Sequence, residues 1–249
     1  MLTNKKLIIS LLFVIILAFS LIYWFYLAKP KPFYSERTLK HIINESTEVD
    51  YAKEIQDIIY IDQKHVYVPI ISKGNEYGVS FWKWEHHKWK VVSISNKGGM
   101  PTLWKIKPYD PASYAMFWNY SPRDHVNEIK IRFLRSRGYL VSDNINYYTP
   151  KIQMEKRVSL NNKTYGYFKY PQNWVKIQKL EQKVNASNKS IFDDNAYPTS
   201  ISLSMTTYDR VGKEIFPENS INGNGYTFED DLFDNVIEED DQQVENRNN

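Results

Sequence analysis

The sequence predicts an α+β protein: an N-terminal transmembrane helix, then an α+β roll, then a β-sandwich. Three observations support this: an uncharged apolar run over 7–28, a change to alternating apolar spacing after residue 65, and an aromatic content of 15% with only 9 glycines. Aromatic and β-branched residues suit pleated, half-buried surfaces, so most of the later chain is expected in strands. The predicted division is a cytoplasmic head (1–6), a transmembrane anchor (7–28), a linker (29–35), an α+β roll (36–108), a β-sandwich (109–217) and an acidic flexible tail (218–249).

The apolar run is 22 residues long, which at about 1.5 Å per residue covers the ~30 Å hydrocarbon core of a bilayer. Lysines flank both of its ends, so the flanking charges give only weak information on the orientation of the span in the membrane. A short head with two lysines favours a cytoplasmic N-terminus. A cleaved signal peptide ending near 18–20 is the alternative. The prediction is a single-pass protein of the cell membrane whose C-terminal part is extracytoplasmic.

The region after the linker changes from helical to strand-like spacing. Leu39, Ile42 and Ile43 recur at helical spacing. The apolar positions from Tyr51 to Ile59 repeat it behind a capping box that begins at Thr47. Strand-like segments follow at 65–71, 77–84, 89–94 and 102–106. This order resembles the NTF2-like and cystatin-like α+β rolls, above all in GVSFWKWEHHKWKVVSI (78–94), and the resemblance implies a helix packed on the concave face of a meander.

A second β-rich region begins after Pro108 and Pro111, two prolines that disfavour both helix and strand. Apolar and polar residues alternate over 129–133 and again over 201–205, as in strands with one buried face. The segment MTTYDRVGKEIF (205–216) resembles the last hairpin of immunoglobulin-like sandwiches, which implies a sandwich over 109–217. One continuous β-rich domain without a boundary at 108 is the alternative.

Charge is unevenly distributed along the chain. Residues 229–249 hold nine acidic residues and one arginine, a net charge of −8, so a chain of net charge +3 carries about +11 elsewhere. Alternation over 129–137 places Lys130 and Arg132 on a solvent face, as a cationic stripe that suits an anionic wall polymer or phospholipid. A merely solvated strand is the alternative, and nucleic acid is not an expected partner of an extracytoplasmic domain.

Two further groups of residues are candidate binding sites. Trp82 and Trp84 share a strand face, and a hairpin turn over 85–88 brings Trp89 beside them, so the three rings form either an aromatic platform for sugars or part of the core. In the tail, Phe228, Leu232 and Phe233 fall on one face of a possible acidic helix. That segment is either a docking peptide for an envelope protein or an element that folds back onto its own basic body.

The sequence points to binding rather than to catalysis. The absence of cysteine excludes disulfides, thiolate zinc sites and a cysteine nucleophile. His86 and His87 are adjacent on a predicted hairpin and face apart, so no metal, cofactor or catalytic residue is predicted. The lysine-, asparagine- and tyrosine-rich chain resembles uncharacterised single-pass envelope proteins of low-GC Gram-positive bacteria, which implies a location and no activity. We expect an envelope binding or adaptor protein; the alternatives are a module that binds wall glycan or anionic polymer, and an envelope enzyme.

Overall fold

The computed structural model describes residues 2–24, 29–47, 52–142, 145–187, 201–229 and 232–240. The described part of the chain is mostly antiparallel sheet, with 44% of its residues in strands, which confirms the prediction of a β-rich protein. The helices of the described part are α1 (Leu2–Ile22), α2 (Glu36–Ser46) and α3 (Gln172–Ser187). The strands there are β1 (Ala52–Ile55), β2 (Ile59–Tyr60), β3 (His65–Ser72), β4 (Tyr77–Glu85), β5 (Lys88–Ser95), β6 (Gly98–Lys105), β7 (Tyr114–Asn119), β8 (Glu128–Arg135), β9 (Gly138–Ser142), β10 (Ile145–Thr149), β11 (Ile152–Ser159), β12 (Tyr165–Lys169), β13 (Ser202–Tyr208), β14 (Glu214–Ile215), β15 (Gly225–Thr227), β16 (Phe233–Asn235) and β17 (Ile237–Glu238).

The predicted transmembrane anchor is corrected by the structure. Among the described residues, no helix combines the length and the apolar character that crossing a bilayer requires. The anchor over 7–28, and with it the predicted fold class, is therefore wrong, and residues 25–28 of that range lie outside the described residues.

The strands form three sheets and one separate hairpin. Sheet A has the order β1-β3-β4-β5-β15, with β2 also on β3. Sheet B has the order β12-β7-β6-β16, and sheet C the order β11-β8-β13-β14, with β17 parallel to β13. The β9–β10 hairpin stands apart between β8 and β11. Because neighbours along the chain mostly pair antiparallel, short turns collect at the two ends of the sheets.

The layers stack in the order α2, sheet A, sheet B, sheet C. Leu39 and Ile43 of α2 pack on one face of sheet A, and the opposite face of that sheet packs on sheet B. Strand β7 is buried along its whole length, because Ala115 and Phe117 face sheet A while Met116 and Trp118 face sheet C. Helix α3 closes one end of the B–C core, where the Trp174 ring stacks on Phe133 at 5.2 Å. Sheet B is thus the central layer.

The second predicted helix, over 51–59, is wrong. Residues 52–55 form β1, an edge strand in which Ala52 lies opposite Ser72 and Ile55 opposite Ile70. The Asn44 side chain of α2 fixes the start of this strand, since Oδ1 accepts the Ala52 N–H at 2.8 Å. Tertiary pairing therefore overrides the helical spacing of these residues, and 48–51, which include most of the predicted capping box, lie outside the described residues.

The predicted boundary at residue 108 lies inside sheet B. Strand β6, from the predicted roll, pairs with β7, from the predicted sandwich, with Thr102 opposite Phe117 and Leu103 opposite Met116. The Asn119 amide also reaches sheet A, where it donates to the Gly78 carbonyl at 2.7 Å. The sheets therefore continue across residue 108, as in the alternative of one continuous β-rich domain.

The predicted flexible tail returns to the sheets in its described parts. Strand β15 pairs with β5, β16 with β6, and β17 with β13. The carboxylate of Asp124 anchors the start of this segment: Oδ1 accepts the Asn219 N–H at 3.0 Å, and the Ser220 hydroxyl donates to Oδ2. A flexible tail is thus wrong for 218–229 and 232–240, while 230–231 and 241–249 lie outside the described residues.

An ion-pair network near the tail makes stability depend on acid pH. The Glu85 carboxylate accepts from Lys90 at 2.7 Å and pairs with Lys83 at 3.1 Å, and Lys83 also pairs with Glu229 of the tail at 3.0 Å. The hydrogen bond from Lys90, followed by that from Lys83, outweighs burial and lowers the pKa of Glu85 to about 2, from 4.5. The carboxylate thus holds protons less tightly in the folded chain than in the unfolded chain.

We therefore expect the free energy of unfolding to fall as the pH is lowered from about 4.5 towards about 2, the window between the two pKa values of Glu85. Urea denaturation at a series of pH values measures this loss. The Glu85→Gln variant provides the control, since it removes the titrating group and should show a smaller loss over the same window. An equal loss in the variant and the parent protein would assign the pH dependence to other carboxylates.

A basic cleft at one end of the sheets as candidate functional site

The three predicted platform tryptophans belong to the core. Trp82 is fully buried, and Trp84 and Trp89 are exposed by only 7% and 5%. Phe33 from the chain segment before α2 meets Trp82 edge-on at 5.6 Å and Trp89 at 4.9 Å. The rings therefore pack beneath α2 and the residues before it, and the predicted sugar platform is corrected.

The predicted cationic stripe is also buried. Lys130 is exposed by 5% and Arg132 by 2%. Alternation does place both on the face of β8 opposite Ile129 and Ile131, but that face is covered as well. Arg132 Nη1 donates to Thr206 Oγ1 at 2.8 Å, and the Thr206 hydroxyl donates to the Glu239 carbonyl. These two cations therefore act inside the fold and do not form a solvent-facing binding stripe.

The predicted docking residues of the tail are divided between core and surface. The Phe233 ring stacks on Trp104 at 5.8 Å, and Leu232 packs against the same core between sheets A and B. Phe228 remains 53% exposed. Of the two alternatives for this segment, the structure has the one in which it folds back onto its own body, as strands rather than as a helix.

A cleft of about 530 Å³ lies where three loops meet at one end of sheets B and C. Its volume falls in the range usual for ligand sites, ~300–1,000 Å³. The loops follow β7, β11 and β13, and they contribute apolar, hydroxyl, amide and cationic groups to its wall. The lining residues of this basic cleft are Tyr120, Ser121, Pro122, His125, Val126, Asn127, Leu160, Asn162, Lys163, Thr164, Asp209, Arg210 and Val211.

The first loop is held rigidly by hydrogen bonds. Ser121 caps a short 3-10 turn over Pro122–Asp124 by accepting the Arg123 N–H. The turn ends at His125, whose φ of 53° is left-handed. Asp124 ties this turn to the 219–220 segment, so the exposed His125 stands on a fixed support beside the cleft.

The second loop carries Lys163 between β11 and β12. Asn161 and Asn162 both adopt left-handed backbone conformations, with φ of 49° and 65°, which asparagine tolerates better than most residues. A hydrogen bond from the Lys163 N–H to the Leu160 carbonyl, at 2.8 Å, closes the turn. The Thr164 carbonyl accepts a second hydrogen bond, from the Tyr120 N–H of the first loop at 2.7 Å. The lysine is therefore presented from a closed turn that is bonded to the first loop.

The third loop is the turn between β13 and β14. Asp209 Oδ1 accepts the backbone N–H groups of Val211 and Lys213, each at 2.9 Å. Gly212 has a φ of +79°, a backbone conformation that residues other than glycine rarely adopt. Arg210 leaves this turn and donates from Nη2 to Asn162 Oδ1 at 2.9 Å. One guanidinium thus joins the second and third loops across the cleft.

The electrostatics of the lining favour an anion. Lys163 and Arg210 contribute two cationic side chains, and His125 adds a third basic group. The single carboxylate of the lining, Asp209, already accepts two backbone N–H groups of its own turn, which spread its charge. Across the described ranges, no group of three or more His, Asp or Glu side chains could hold a metal ion. The cleft is therefore suited to an anionic organic ligand.

Comparison of the chain with protein-family models, with curated proteins and with solved structures gives no match. The sequence had indicated one of its turns, YDRVGK (208–213), as a hairpin, but no lining residue as a candidate. Arg210 and Lys163 lie far apart in the chain in turns of ordinary composition. Their turns meet because Ser159 at the end of β11 and Tyr208 at the end of β13 both pair with Glu128 of β8 in sheet C.

Proposed function

We propose that this protein works as a binding module for an anionic ligand, which it holds in the basic cleft through Lys163 and Arg210. The observation that carries the proposal is the Arg210–Asn162 bridge, which places a guanidinium beside the Lys163 loop over a cleft of about 530 Å³. A guanidinium offers several N–H donors in a plane, which suits phosphate and carboxylate groups.

The lining also favours a particular kind of anion. Val126, Leu160 and Val211 provide apolar surface beside the charges. A ligand with anionic groups spaced along an organic backbone would use both kinds of surface, whereas a bare inorganic ion would use the charges alone. We therefore place an anionic polymer, such as a phosphodiester polyol, ahead of a small ion. This keeps the class of ligand expected from the sequence but moves it from Lys130 and Arg132 to this cleft.

The double variant Lys163→Gln/Arg210→Gln is expected to bind poly(glycerol phosphate) about 100-fold more weakly, since each charged contact contributes about a factor of ten. The affinity of the full-length protein, measured by isothermal titration calorimetry, provides the test, with uncharged dextran as the neutral polymer. Binding should also weaken as salt rises, because exposed charges are screened.

A matched control removes the same number and kind of charges elsewhere. Arg37 on α2 and Lys107 in the loop after β6 are both exposed and lie outside the cleft. The Arg37→Gln/Lys107→Gln variant should retain most of the affinity. Equal losses in the two double variants would mean that the polymer senses net charge only, and the proposed site would be wrong.

A further inference from the structure

The β9–β10 hairpin exposes an apolar face at the end of the molecule opposite the cleft. Strand β8 begins beside the cleft at Glu128 and ends at Arg135, where the hairpin starts. Tyr139 lies opposite Tyr148, and Val141 opposite Asn146, on one face of the two-stranded ribbon. Their exposed fractions are 68% for Tyr139, 63% for Tyr148 and 55% for Val141. Large apolar side chains so exposed on neighbouring positions mark an interaction surface.

The hairpin has no sheet partner among the described strands. An isolated two-stranded ribbon is only marginally stable in water, because one pair of strands cannot bury its own side chains. Tyrosine is also well suited to a boundary between polar and apolar phases, since its ring is apolar and its hydroxyl is polar. The ribbon is therefore built to be covered on the face that carries Tyr139 and Tyr148.

The outer face of α3 supplies positive charge at the same end. Leu180 and Val184 are one turn apart and are 56% and 50% exposed. Three lysines are exposed beside them on that face. A helix with lysines alongside exposed aliphatic side chains is typical of segments that lie on an anionic surface. The lysines are Lys176, Lys179 and Lys183.

One ion pair joins the helix to the hairpin. Arg135 Nη1 pairs with Glu181 on the inner face of α3, and Arg135 Nε donates to the Pro150 carbonyl at the end of the hairpin at 3.0 Å. Helix and hairpin are therefore held side by side. Arg137 and Lys151, both exposed, lie at the base of the hairpin and add positive charge.

We propose that the β9–β10 hairpin and the outer face of α3 form a peripheral lipid-binding surface for anionic phospholipids. Charge complementarity selects the occupant: five exposed basic side chains lie on α3 and at the base of the hairpin. Lys179 also pairs with Asp110 at 3.4 Å, and Glu181 is paired with Arg135. An anionic polymer would satisfy the lysines but would leave Tyr139, Val141 and Tyr148 in water. A lipid surface offers headgroup phosphates and an apolar layer directly beneath them. This surface does not depend on the cleft, which lies at the opposite end.

The absence of cysteine allows a label to be placed at one chosen position of the full-length chain. We would introduce Val141→Cys, attach an environment-sensitive fluorophore, and add vesicles of phosphatidylcholine with about a quarter phosphatidylglycerol, some carrying quenchers on their acyl chains. The expected result is a blue shift and quenching at position 141. Because α1 carries exposed apolar side chains in every sample, this local readout is preferable to total vesicle binding.

The same label on Val211→Cys is the matched control, because Val211 is 87% exposed and lies at the cleft end. It should show no quenching. Neutralising Lys176 and Lys183 by Lys→Gln should weaken engagement of the surface about 30-fold, at the usual contribution of a basic residue near anionic lipid. Quenching at 141 should then fall to the level of the 211 label, and vesicles of phosphatidylcholine alone should leave 141 unquenched.

Three results would overturn the proposal. Equal quenching at 141 and 211 would mean that the chain associates with vesicles without using this surface. Absence of quenching at 141 and, in a second variant, at Tyr148→Cys would show that the hairpin does not enter lipid. A label that responds to soluble poly(glycerol phosphate) but not to vesicles would assign the surface to a polymer.

Discussion

Truncation of Trp82 to alanine is expected to lower the free energy of unfolding by about 3–5 kcal/mol, the usual range for a large aromatic ring removed from a core. The ring is fully buried between α2 and sheet A. Its Nε1 donates to Ser80 Oγ at 3.0 Å, and that hydroxyl donates to the Val68 carbonyl at 3.1 Å. The substitution thus creates a cavity and removes the first bond of a buried chain.

Urea denaturation of the full-length variant provides this measurement, with Trp24→Ala as the control. Trp24 is 60% exposed, so its removal should change stability by well under half as much. The experiment also distinguishes the two interpretations of Trp82 that the sequence had left open, a residue of the core and a residue of a sugar-binding platform. A Trp82→Ala protein of unchanged stability that had lost affinity for wall glycan would restore the platform hypothesis.

Replacement of Asn119 by alanine is expected to cost about 3 kcal/mol, because buried acceptors lose their donor. The side chain is fully buried at the end of β7. Its Nδ2 group contacts the Gly78 carbonyl and Gln56 Oε1, each at 2.7 Å, and lies 3.2 Å from the Ile70 carbonyl. One amide therefore bonds sheet B to sheet A directly before the first loop of the cleft.

Gln153→Ala is the matched control, since it removes an exposed amide from a strand of sheet C, and it should change stability by less than about 0.5 kcal/mol. Thermal and urea unfolding of both variants give the comparison. The Asn119 variant should also bind poly(glycerol phosphate) less tightly, because Tyr120 and Ser121 follow directly in the cleft wall. Equal stability of Asn119→Ala and the parent protein would show that water replaces the amide.

The strands of sheet A illustrate how far local pattern predicts structure. The segments 65–71, 77–84 and 89–94 are rich in β-branched and aromatic residues and are separated by turn residues, and the structure has β3, β4 and β5 there. Tyr114–Asn119 is apolar at five of its six positions. Such a run indicates a strand buried on both faces, which is the position of β7 in the central sheet.

The predictions were wrong for segments in which the local pattern competes with long-range strand pairing. Tyr51 to Ile59 has helical spacing, but Ala52–Ile55 pairs with β3 at the edge of sheet A. The acidic tail has the composition of a flexible segment, yet 225–227, 233–235 and 237–238 add strands to three different sheets. In each case the deciding hydrogen bonds join residues that are far apart in the chain, and no short window contains both partners.

The prediction that Lys130 and Arg132 are exposed to solvent was wrong for a related reason. Alternation over 129–133 correctly separates Ile129 and Ile131 from Lys130 and Arg132, because that property depends on the backbone period alone. Whether the second face meets solvent depends on what packs there, and Thr206 and Glu239 come from more than seventy residues further on. The sequence could therefore assign the faces of this strand but not the exposure of either one.

The sequence by itself determined that the protein is β-rich, where most of its strands lie, and that cysteine chemistry is absent, since composition and a two-residue period are local properties. The tertiary structure alone decided the stacking order of the three sheets, the return of the tail, and the meeting of Lys163 with Arg210 over one cleft. Those features arise from contacts between distant segments, where burial of apolar area and satisfaction of buried hydrogen bonds outweigh local preference.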